Sequence, residues 1–374
     1  MKKNLFISVL FLAIVFMNVK VFSQRNNQKS VIQVALILDT SNSMDGLIDQ
    51  AKTQLWSVVN KLATARYKGE MPDLQIALYE YGNDGLPAGE GYLRQVLGLT
   101  TDLDKVSEAL FALKTNGGSE FCGYVIDKAT VQLQWSKSNE HLKMIFIAGN
   151  EEFTQGDFDY KKACKNAVSE GIIVNTIFCG SQEEGINLMW KDAADISDGK
   201  YLNIDQTQAV AYIDSPFDAE IVKMNEELNK TYIAFGSSGD EYKSRQTAQD
   251  ANAAGVSAGV AVSRAVSKSS NAYKNSDWDL VDAMQEKEVD MKDIKEEELP
   301  EEMKKMNDKE KIEYVETKSK ERTEIQAKIA DLNAKREEYV NKVKAETKVE
   351  NTLGDAMIEA VSGQAIKMKY TFEK

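Results

Sequence analysis

The chain has 374 residues, 43% of them apolar and 28% charged, with a formal net charge of −13. That length accommodates about two or three domains, and so negative a chain excludes a nucleic-acid backbone as its natural partner while suiting a divalent cation or a basic protein surface. His141 is the only histidine, which excludes Ser-His-Asp catalysis, Cys-His catalysis and any multi-histidine metal site.

Lys2 and Lys3 precede an apolar stretch from Leu5 to Met17, and Val21-Phe-Ser23 then offers small residues for a signal peptidase. This pattern predicts a secretory signal over residues 1–23, cleaved after Ser23, and a periplasmic or secreted mature protein. The apolar stretch is short for a membrane span, and no later segment reaches spanning length. Export would permit a disulfide, yet nothing indicates which of Cys122, Cys164 and Cys179 would pair; buried free thiols are the simpler expectation.

After a polar spacer the pattern alternates. Val31 to Leu38 is a nearly unbroken apolar run, the mark of a strand buried on both faces. Leu47, Ile48, Ala51, Leu55, Val58, Val59 and Leu62 follow at helical spacing. Strands are expected at Leu74–Tyr81 and Tyr92–Leu99, then a helix through Leu103, Val106, Leu110 and Leu113. A loop, Thr115-Asn-Gly-Gly-Ser-Glu120, leads to a helix through Val125, Ala129 and Leu133. Lys143–Ala148 reads as a fourth strand, Tyr160–Glu170 as a helix and Ile172–Cys179 as a fifth strand. A short helix near Leu188–Ile196 precedes a last strand at Gly199-Lys-Tyr-Leu-Asn203. The fold class is therefore α/β, a doubly wound and mostly parallel sheet over residues 31–213.

Residues 214–374 read as an α-helical region. Asp218–Tyr232 is expected to be helical, with a Gly/Ser break at Gly236–Gly239 and small residues suited to close packing at Ala251–Ala265. From 286 to 350 the chain is rich in Glu and Lys. Its apolar stripe lapses between Val315 and Ile325, which argues against a long uninterrupted coiled coil and for helical hairpins. Leu353–Phe372 has no clear pattern.

Asp39 stands at the carboxyl end of the first buried strand, where ligand crevices form in open parallel sheets. Ser41 and Ser43 follow at alternate positions, so one short loop supplies a carboxylate and two hydroxyls, hard oxygens suited to Mg²⁺ or Ca²⁺. One such residue could be explained as a helix cap; three in alternation are not. Val34-Ala-Leu-Ile-Leu-Asp-Thr-Ser-Asn-Ser-Met44 resembles the opening of a von Willebrand factor A (VWA) domain, with its Asp-x-Ser-x-Ser loop, and the likeness extends over roughly residues 31–213.

The resemblance implies a metal ion-dependent adhesion site that holds Mg²⁺ (or Ca²⁺ or Mn²⁺) and takes a carboxylate from a protein partner. Asp39, Ser41 and Ser43 would be its first-loop ligands. In the second loop Ser119 stands for the family's Thr, with Glu120 as an extra carboxylate and Thr115 as a weaker alternative. In the third loop Gly149 falls where the family carries Asp, and Glu151 is the substitute. No catalysis is expected. Glu151 and Glu152 are adjacent on one loop, and Gly236-Ser-Ser-Gly239 lacks the Gly-Lys-Ser/Thr of a phosphate loop. The alternatives are a scaffold that acts through its helical region with a degenerate metal site, and a metal-dependent hydrolase.

Overall fold

The computed structural model describes residues 29–207, 212–346 and 353–373; the expected secretory signal over residues 1–23 lies outside them. β1 (Val31–Asp39), β2 (Ala65–Tyr67), β3 (Asp73–Tyr81), β4 (Leu93–Thr100), β5 (Leu142–Gly149), β6 (Ile173–Cys179), β7 (Tyr201–Ile204) and β8 (Tyr370–Phe372) are the strands. Six of them form one sheet in the order β4-β3-β1-β5-β6-β7. All its pairings are parallel except β3 with β4. The expected mostly parallel sheet is thus present.

Helices cover both faces. α1 (Asp45–Ala63) and α2 (Leu103–Ala112) lie over one face; α3 (Cys122–Gln132) and α4 (Tyr160–Ser169) lie over the other. Strand alternation sorts β1 between the two cores: Ile32, Val34, Leu36 and Leu38 enter the first, Ala35 and Ile37 the second. Every residue of β1 after Val31 is buried, which explains its continuous apolar run. The short helix expected near residue 188 is two helices, α5 (Gln182–Asn187) and α6 (Trp190–Ile196). Met189 divides them in a left-handed conformation, φ 68°, which periodicity does not reveal.

The rest is helical, as expected: α7 (Asp218–Asn229), α8 (Gly239–Val256), α9 (Ala258–Ser269), α10 (Leu280–Gln285), α11 (Asp308–Glu346) and α12 (Leu353–Lys367). Ser257 breaks the small-residue segment, its side chain accepting from Val260 N as the cap of α9. The expected hairpins after residue 286 are not found. Two short 3₁₀ turns lead instead into α11, one helix of 39 residues and about 58 Å long. Its stripe does not lapse, because Arg322 fills the gap: Val315, Arg322, Ile329 and Arg336 recur every seven residues, and all four are buried. Arg322 donates to Asp279 and Asp282, each at 2.6 Å, and Arg336 donates to Asp218 at 3.0 Å.

The helical region lies against the first core face. α9 and α12 both pack on α1, and Met357, Ala360 and Val361 of α12 enter the same core as β1. β8 pairs antiparallel with β2, which returns the segment without a sequence pattern to the α/β unit. Among the described residues, the second core cluster contains none from the helical region.

Candidate metal centre at the carboxyl edge

Pleating decides what the edge presents. Ala35, Ile37 and Asp39 share the second face of β1; Tyr81 is the register partner of Asp39 on β3, and Gly149 follows Ala148, the partner of Leu38 on β5. Tyr81, Asp39 and Gly149 therefore form one row across the ends of three strands.

The chain then turns sharply. Asp39 Oδ1 accepts from the Ser41 amide at 2.8 Å, and the Met44 amide donates to the Ser41 carbonyl at 3.1 Å. Ser41 Oγ and Ser43 Oγ lie 3.4 Å apart, and Asn150 Nδ2 donates to Ser43 Oγ at 3.2 Å. Ser41 and Met44 occupy the cap positions of the 3₁₀ turn and of α1, and neither provides a side-chain cap. Helix capping therefore does not account for the Ser41 hydroxyl. Asp39 Oδ2 and Asn150 Oδ1 are buried with no hydrogen-bond partner, a state that ordinarily costs about 1–3 kcal/mol per group.

The second loop closes over this turn. The Asn116 amide donates to the Thr40 carbonyl at 2.8 Å, the Asp84 amide donates to the Gly117 carbonyl at 2.5 Å, and the Glu120 amide donates to Gln155 Oε1 at 2.6 Å. Gly82, in a left-handed conformation at φ 78°, makes the convergence physically available: a Cβ there would lie 2.8 Å from Asp39 Oδ1 and 2.9 Å from Glu120 Cγ. Asp39 and Glu120 thus approach over a bare backbone. Ser119 is half-buried beside Glu120. Thr115 is engaged elsewhere, donating to Asp45 at the start of α1. Glu151 is exposed, and its carbonyl accepts from Trp190 Nε1 at 2.7 Å.

The electrostatics follow from burial of like charges. Asp39 is fully buried, and its carboxyl is pushed up to about 7, by desolvation first and by the charges of Glu120 and Glu151 in addition, against the Ser41 hydrogen bonds. Glu120 is likewise pushed up to about 7, by burial first, with Glu151 and Asp84 adding to it. The described residues contain no group of three or more His, Cys, Asp or Glu side chains arranged to hold a metal ion. Any cation here would rest on the buried Asp39 carboxylate, with the buried Glu120 close by, supplemented by hydroxyl and amide oxygens, a hard-oxygen set that fits Mg²⁺, Mn²⁺ or Ca²⁺. Sequence reading missed Tyr81, Asn150 and Gln155. Asn150 sits beside the expected third-loop position and could have been nominated for its amide oxygen; the other two are visible only once strand register and loop packing are known.

Residues 33–211 match the von Willebrand factor type A domain family. No curated protein sequence matches the chain. Among solved structures, a conserved hypothetical protein, BatB, from Bacteroides thetaiotaomicron is 16% identical, over 46% of this chain and 90% of its own length, at a TM-score of 0.36. Proximal thread matrix protein 1 from the mussel byssus is 13% identical over 47% of this chain, at a TM-score of 0.36, and the match spans 42% of that protein. The von Willebrand factor domain of a type V pilus tip protein from Porphyromonas gingivalis is 10% identical, over 48% of this chain and 91% of its own length, at a TM-score of 0.34.

Proposed function

Because residues 33–211 are a von Willebrand factor type A domain, we propose that the protein is an exported binding module that captures a protein partner through a divalent cation at Asp39. Asp39, Ser41, Ser43 and Ser119 would hold the ion, with Glu120 and Glu151 lending charge. The cation would supply an electrophilic position for a carboxylate of the partner.

The observation that carries this reading is the orphaned Asp39 Oδ2, a buried carboxylate oxygen without a partner beside hydroxyls free of capping. Such an arrangement is costly unless a cation offsets it. Binding is favoured over catalysis because His141 begins the opposite end of β5, where it is bonded to Ser136 Oγ at 2.6 Å. No nucleophile at the carboxyl edge thus has an imidazole beside it. The amino-terminal apolar segment supports export, and no described helix is long and apolar enough to cross a membrane.

The test is partner capture from the protein's native setting with Mg²⁺ and with EDTA, using the native chain and Asp39→Ala. Capture lost in both the chelated and the substituted samples supports the reading. Capture indifferent to both contradicts it and favours the helical region as the contact surface.

A further inference from the structure

The row Tyr81–Asp39–Gly149 explains why the third loop carries glycine where the resemblance leads one to expect Asp. A Cβ on Gly149 would collide with the Tyr81 hydroxyl, and would come within 3.0 Å of Asp39 Oδ2 and 3.1 Å of the Trp190 ring. The Tyr81 side chain is fully buried and cannot swing into solvent. Its hydroxyl donates to the Ala148 carbonyl at 3.1 Å, which fixes it against the residue preceding the glycine. The buried Cys122 Sγ lies 3.7 Å from the same hydroxyl. Only a residue without a side chain fits at 149 while Tyr81 is present.

The geometry points to Tyr81 as the residue that determines the charge of the site: its hydroxyl crowds the third-loop position, keeps residue 149 a glycine and leaves the site without a third-loop acid beside Asp39 and Glu120. This rests on the metal reading of the Asp39 loop. Tyr81 is a positioning residue, since its hydroxyl is fixed to the strand end at Ala148 and need not touch the ion. A neutral hydroxyl in place of an anion lowers cation affinity, yet it leaves a bound cation more strongly attracting to an incoming carboxylate. The partner's anionic group would then provide a larger share of the neutralising charge, and metal and partner would bind as a mutually dependent pair.

A mutant cycle separates the parts. Without metal, Gly149→Ala is introduced into the native chain and into Y81F, and unfolding by urea is measured. The collision predicts that G149A raises the unfolding constant about tenfold or more in the native chain and less than about threefold in Y81F. Equal losses in both backgrounds overturn the assignment. Mg²⁺ affinity is then measured by calorimetry on G149D alone and on G149D with Y81F. Tighter binding by about tenfold only in the double variant supports Tyr81 as the charge-determining residue; tighter binding in G149D alone overturns it. If no variant binds Mg²⁺ while the stability coupling holds, the placement of Tyr81 against Gly149 stands and the metal reading above is what fails.

Discussion

Asp104 of α2 and Arg264 of α9 form a buried ion pair at 2.7 Å that joins the α/β unit to the helical region. Both carboxylate oxygens are engaged, since Tyr273 donates to the second at 2.6 Å, and the guanidinium stacks over Trp56 of α1 at 4.7 Å. Removing Asp104 leaves Arg264 with Asp250 as its remaining acid partner and deprives the buried Tyr273 hydroxyl of its acceptor, which together cost about 3 kcal/mol. Asp104→Ala should therefore lower the urea midpoint by an amount corresponding to about 3 kcal/mol, and a loss below about 1 kcal/mol would show that the pair does not hold the two parts together.

The same network predicts an acid transition. Burial alone would raise the Asp250 carboxyl, but Lys268 at 2.8 Å and Arg264 at 2.5 Å reverse that and hold it at about 2. Its folded value lies below its unfolded one, so the unfolded chain binds more protons between them. The stability it contributes is present above about pH 4 and lost as pH falls toward 2, on the order of 2 kcal/mol. Unfolding free energies of the native chain and Asp250→Asn, measured from pH 5 to 2.5, should show a shallower acid loss in the variant.

The three cysteines are free and fully buried. Burial pushes the Cys164 thiol up to about 12 and raises those of Cys122 and Cys179 as well. A thiol-specific chromophoric reagent should label none in the native protein and three in urea; rapid native labelling would show that the cores open.

Arg322 in α11 should behave as a core residue despite its charge. It is surrounded by Asp279, Asp282, the Thr231 carbonyl at 2.7 Å and the Tyr232 ring at 4.1 Å. Arg322→Ala should cost about 3–5 kcal/mol, whereas Lys335→Ala, an exposed i,i+4 pair with Asp331, should cost less than about 0.5 kcal/mol. Comparable losses in thermal melts would contradict this.

Arg322 also marks what the sequence could convey. The sheet was legible because a strand covered on both faces must be apolar throughout, as β1 is. α11 was misjudged because its inward stripe alternates aliphatic residues with buried arginines, and a search for apolar periodicity treats those arginines as solvent-facing. The Asp39 loop was legible because its ligand types are local in the chain. Glycine at 149 was visible, but its cause was not: the collision with Tyr81 requires the parallel register of β3, β1 and β5, which join residues far apart in sequence. The break at Met189 depends on a single left-handed residue with no compositional signature.

A divalent cation in the Asp39 loop, as proposed above, would make the stability of the chain depend on metal. The most direct measurement is the thermal midpoint of the native chain and of Asp39→Asn across a titration of Mg²⁺ or Mn²⁺. The native midpoint should rise with metal, by an amount equivalent to about 2.7 kcal/mol at one hundred times the dissociation constant, and EDTA should reverse it. Asp39→Asn, relieved of an unpaired buried carboxylate, should be at least as stable without metal and should not respond to it. A native midpoint unmoved by millimolar metal, or an Asn variant that responds equally, would contradict the proposal.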